Sequence, residues 1–90
     1  MDFTDFMNDA EEILNRLKPR TPRNTISTID SALAGGEFSI AIKELVFSLT
    51  KNQIAVAAAE RDALIRLTEY LEENRLTEMV RALDLGPGGV

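Results

Sequence analysis

Apolar side chains recur at helical intervals along almost the whole chain, and about five short helices can be drawn from their spacing. In the first, Phe3, Phe6, Met7, Ala10, Ile13, Leu14 and Leu17 fall on one stripe. Asp2, Asp5 and Asp9 lie towards its start, with Arg16 and Lys18 near its end, so charge complements the helix dipole at both poles. Glu12 and Arg16 add an i,i+4 pair, and Pro19 stops the helix. In the KPRTPR connector, Lys18 to Arg23, Thr21 is placed to cap a second helix, with Pro22 at its first position. Ile26, Ile29, Ala32 and Leu33 continue the helical period up to Gly35-Gly36, where a glycine can take the positive φ of a helix C′ residue.

Phe38, Ala41, Ile42, Leu45, Val46 and Leu49 form a third stripe, from about Glu37 to Leu49. Ile40 and Phe47 lie off it, which predicts a central helix touched on two sides. Thr50-Lys51-Asn52-Gln53 is a polar break. An isolated strand at Ile54-Ala55-Val56 would have nothing to pair with, so an extended connector that drops Ile54 or Val56 into the core is expected. A fourth helix begins near Ala58 and carries Leu64, Ile65, Leu67, Thr68 and Leu71, with an Asp62–Arg66 pair. Glu72-Glu73-Asn74 interrupts it, Asn74 being suited to a left-handed cap, and a last short helix holds Leu76, Met79, Val80 and Leu83. The fold class expected is all-α, a compact bundle of about five short amphipathic helices. Residues 1–85 would form its single domain, and the GPGGV segment at 86–90 a disordered tail.

Composition narrows the function more than the fold. With apolar residues at 44% of 90, one core can be buried but not two. There is no Cys, hence no disulfide framework and no zinc site of the usual kind, and no His, the commonest general base and metal ligand. Fifteen Asp+Glu against 10 Lys+Arg give a formal net charge of −5, which opposes a nucleic-acid partner. The acidic MDFTDFMNDAEE start lacks the basic region of a secretory leader, and Leu45 to Ala59 is interrupted by Lys51, Asn52 and Gln53 and cannot span a bilayer. A cytoplasmic protein without membrane contact is expected.

Catalytic candidates are few. Ser27, Ser31, Ser39 and Ser48 have no imidazole to activate them. Asp2/Asp5/Asp9/Glu12 and Glu69/Glu72/Glu73 could serve as acid–base pairs or hold a hard cation if buried and convergent, but read as solvated helix faces. Gly35-Gly36 lacks the Lys-Ser/Thr of a phosphate loop, and a helix–turn–helix reader there would offer phosphate only Lys43 beside Glu37 and Glu44. No catalytic, cofactor-binding or metal-binding residue is assigned. The acidic surface itself suggests binding: Glu60, Asp62, Glu69, Glu72 and Glu73, with Tyr70 as aromatic anchor, form a candidate face for a basic protein.

From Ile29 to Leu71 the chain resembles small bacterial immunity proteins of the MafI type. The resemblance rests on Gly36-Glu37-Phe38, Ala41-Ile42, Leu45, Ile54-Ala55-Val56, and Glu60-Arg61-Asp62-Ala63-Leu64 with Leu67. It implies an immunity protein of a polymorphic-toxin or contact-dependent inhibition system, held in the producer's cytosol. Such a protein occludes the toxin domain encoded beside it, often a basic nuclease, with no chemistry of its own. The alternative is a small helical adaptor, or a structural module that homodimerises by burying Ile40 and Phe47.

Overall fold

Helical periodicity is realised as two helical hairpins clasped by the first helix. The structure, a computed structural model, describes residues 1–86. Helix α1 spans Phe3–Leu17 and runs into a 3-10 turn at Lys18–Arg20; α2 is Arg23–Ala34, α3 Phe38–Lys51, α4 Ala58–Tyr70 and α5 Asn74–Arg81. Helices α2 and α3 pack as one hairpin and α4 and α5 as the other. Helix α1 lies against both α3 and α4, and α3 also touches α5. The all-α bundle is as the spacing predicts.

The core is built from the predicted stripes except at Phe3, which opens α1 at the edge of the bundle and is 58% exposed. Phe6, Ala10, Ile13, Leu14 and Leu17 of α1, Ala41, Ile42, Leu45, Val46 and Leu49 of α3, Leu64 and Leu67 of α4, and Leu76 and Val80 of α5 belong to one buried cluster. A buried hydrogen bond of 2.7 Å between the Thr68 and Thr77 hydroxyls joins α4 to α5 inside this core. Satisfying both hydroxyls this way avoids the cost of burying them unpaired. Central α3 meets three helices, yet Ile40 and Phe47 stay 42% and 41% exposed, because those neighbours leave that side of it uncovered.

Three of the helices end by one geometry. At α2, α3 and α4 the residue after the cap turns left-handed, at Gly36 (φ 72°), Gln53 (φ 52°) and Glu72 (φ 57°). The next N–H then reaches back to the helix: Glu37 to Ala32 O, Ile54 to Leu49 O, and Glu73 to Thr68 O. The left-handed residue after α4 is thus Glu72, and the Asn74 expected there is instead the first residue of α5. Likewise α3 runs on through Thr50 and Lys51 before its break. A Cβ on Gly36 would touch nothing within 4 Å, so Gly36→Ala isolates the left-handed strain. We expect it to lower stability by about 1 kcal/mol in a urea titration. An unchanged midpoint would show that this turn is not held left-handed.

Two further differences have local causes. Thr21 does not cap α2: it is buried, its hydroxyl donates to Lys18 O at 2.7 Å to close the 3-10 turn, and Pro22 takes the N-cap position. Val56 is buried as expected and Ile54 is half-buried, but the connector does find a partner. The Val56 N–H donates to Asp84 O and the Gly86 N–H to Val56 O, both at 3.0 Å, forming a single parallel bridge between Val56 and Leu85. Gly86, assigned to the tail, takes part in that bridge, and the rest of the expected tail, 87–90, lies outside the described residues.

Candidate functional site

The residues proposed as a binding face sit on both ends of α4, and the fold gives the two ends different work. At the first turn, Glu60 points inward with its side chain 4% exposed. Its Oε1 accepts the Ala57 N–H at 2.7 Å, and its two oxygens accept two nitrogens of the Arg20 guanidinium at 2.9 Å each. Ala57 has no side-chain acceptor to offer in return, so only the Glu60 half of a capping box forms. Burial alone would push the Glu60 carboxyl up. The Ala57 N–H, the hydrogen bonds and charge of Arg20, and the charge of Arg16 outweigh it and hold the carboxyl below its ordinary value. Glu60 therefore anchors α4 to the 3-10 turn and is removed from the binding face. A carboxylate reads as surface because burial requires a partner, and that partner, Arg20, lies forty positions away.

Asp62, one turn into the same helix, is exposed. The expected Asp62–Arg66 pair does not form among the described residues, whereas Glu12–Arg16 stands at 3.7 Å. At the far end of α4, Glu69, Tyr70, Glu72 and Glu73 are all exposed. Glu69 lies 3.6 Å from Arg81 of α5. Glu72 and Glu73 form no ion pair among the described residues, and the left-handed turn at Glu72 leads the chain around the end of the helix.

Tyr70 is more than an isolated anchor. Its ring stacks on buried Phe6 with centroids 4.7 Å apart and planes at 20°, leaving 37% of the residue exposed. Phe6 in turn stacks on Phe3 at 6.3 Å and meets Phe38 edge-on at 6.4 Å. These side chains, with Glu37, Ile40 and Leu71, line an open groove of about 240 Å³ between the first turns of α1 and α3 and the last turn of α4. Phe3 is 58% exposed there and Ile40 42%. The sequence reading missed Phe3, Glu37, Phe38 and Ile40 as parts of one surface. Ile40's position off the apolar stripe was the available signal, since a large aliphatic outside the core stripe asks for a second contact.

A larger groove of about 460 Å³ runs between the end of α3 and α5, lined by Leu49, Ile54, Met79 and Leu83 with Glu78 and Asp84 among its polar residues. Ser48, weighed as a nucleophile, is buried and takes hydrogen bonds from Thr25 and Asn52 at 3.1 Å each. Among the described residues no three carboxylates are grouped so as to hold a metal ion, and no helix is long and apolar enough to cross a membrane. Comparison of the chain with protein-family models, curated proteins and solved structures finds no match.

Proposed function

We propose that this chain is an immunity protein that binds a cognate bacterial toxin domain and neutralises it by occlusion, carrying out no reaction itself. The observation that carries this reading is the exposed Phe3, Ile40 and Tyr70 surface with Glu37 in the same groove, and exposed Glu72 and Glu73 in the turn that follows Tyr70 and Leu71. Apolar surface gathered in one place on a small domain marks an interaction site, and aromatic side chains are the usual anchors of such sites. The net charge of −5 suits a basic partner, because opposite fields speed encounter and suppress wrong partners. The MafI-type resemblance supplies the kind of partner, a toxin domain encoded beside this chain, and the cytoplasm of the producing cell as the place of action.

Co-expression with the adjacent toxin gene is expected to restore growth, and the purified pair to associate at micromolar concentration or tighter. Absence of both would end this reading. Glu72→Lys with Glu73→Lys should slow association about tenfold at low salt and flatten its salt dependence. Glu60→Gln belongs to the fold and should leave the association rate unchanged. A second reading, a homodimerising module, is favoured by Ile40 and Phe47, both exposed on α3. Sedimentation equilibrium showing a tight self-dimer, with no toxin gene alongside, would support it instead.

A further inference from the structure

The groove between α1, α3 and α4 has a composition that selects its occupant. Its exposed walls are the rings of Phe3 and Tyr70 and the side chain of Ile40, and its charged lining residue is Glu37. No cation lines it. Asp2, Glu72 and Glu73, each one or two positions from a lining residue, are exposed. At about 240 Å³ it is smaller than the ~300–1,000 Å³ typical of small-molecule sites. It suits a side chain presented by a larger molecule.

We infer that this groove docks an arginine-bearing segment of a basic partner protein, the guanidinium lying against the exposed rings of Phe3 and Tyr70 and pairing with Glu37. Three arguments select that occupant. Glu37 is exposed and forms no ion pair among the described residues, so a cationic anchor gains an attraction there that a purely apolar one does not. A second copy of this chain would bring net negative charge towards Glu37, since each copy carries −5. Arginine also fits better than lysine: its planar, weakly hydrated guanidinium stacks on aromatic faces and binds a carboxylate through two parallel hydrogen bonds. Aliphatic neighbours of that arginine would cover Ile40 and Leu71. The partner's basic character rests on the immunity reading, but the test below needs no toxin.

The full chain, labelled with 15N, would be titrated with the capped peptide Leu-Arg-Leu-Arg-Leu and with versions carrying lysine or glutamate in place of arginine. Saturable amide shifts are expected around residues 3–6, 36–40 and 69–72, strongest for the arginine peptide, weaker for lysine and absent for glutamate. Phe3→Ala should weaken binding about two- to fivefold while leaving the spectrum dispersed, because its side chain is largely in solvent. Glu37→Gln should weaken it at least as much and narrow the preference for arginine over lysine to the part that ring stacking supplies. The inference is overturned if the shifts fall on the α3–α5 groove. It is equally overturned if arginine and lysine peptides bind alike and insensitively to Phe3→Ala, as diffuse charge attraction would. Peptide binding here with no protection against the toxin would remove the immunity reading and keep the docking site. Protection without peptide binding would do the reverse.

Discussion

Phe6→Ala is expected to lower the stability of this domain by about 3–5 kcal/mol, the range for emptying a buried aromatic position. A domain of this length has about 5–13 kcal/mol in all, so the variant should lose between about a quarter and nearly all of its stability. The reason is where Phe6 sits. It is 2% exposed, and its ring meets Phe3, Phe38 and Tyr70, so truncation leaves a cavity and also removes three aromatic contacts. Phe6→Leu separates the two effects: most of the buried volume returns, the ring contacts do not, and a loss of about 1–2 kcal/mol is expected. Urea titrations followed by far-UV circular dichroism give both numbers. A Phe6→Ala midpoint no lower than that of Phe6→Leu would deny Phe6 its role as the ring on which the others pack. Phe3 and Tyr70 would also lose the surface that orders them, so Phe6→Ala should abolish partner binding through the fold.

The second large effect is at the other end of α4. Glu60→Ala should cost about 2–3 kcal/mol, since it removes a charge-assisted hydrogen bond to the Ala57 N–H and the paired bonds to Arg20. The figure is kept below that of a fully buried pair because the Arg20 side chain is 42% exposed and can return to water. Arg20→Gln should lose less, and the double variant should lose less than the sum, because the two changes remove one interaction. The pair also has a pH signature. The folded Glu60 carboxyl titrates below its ordinary value of 4.5, so the unfolded chain takes up the proton first as the solution is acidified. The stability that ionised Glu60 contributes is fully present above about pH 5.5, declines as pH falls through 4.5, and is gone below the lowered folded value. The stability gap between the natural chain and Glu60→Gln should therefore narrow on acidification. A gap constant from pH 7 to about pH 3 would mean that Glu60 is not held ionised by this site.

Glu60 also shows where pattern reading stops. Periodicity places it on α4 correctly, and a carboxylate at helix position N3 is consistent with a capping role. Nothing near it in sequence announces Arg20, so by sequence alone the acid belongs on the surface. Tyr70 is the complementary case: by sequence it is a free anchor, and in the fold its ring stacks on Phe6, which α1 brings beneath it. The structure departs from the expected roles of Thr21 and Asn74 for a related reason. Residue preferences favour Thr as a cap and Asn in left-handed turns by margins of ~1 kcal/mol, small enough for chain closure to override.

What the sequence determines by itself is the helical class, the five apolar stripes and the breaks between them. Those features depend on residues within a few positions of one another, and the buried stripe residues of α1 and α3 are the expected ones. The Gly36 turn belongs with them, because a positive φ is a local demand that glycine meets without strain. The tertiary structure alone decides which acids face solvent and which apolar side chains at the helix ends share a surface. Burying Glu60 needs a cation from a distant turn, and the groove at Phe3, Ile40 and Tyr70 exists only because three helix ends converge. Both depend on neighbours far along the chain, where local periodicity carries no information.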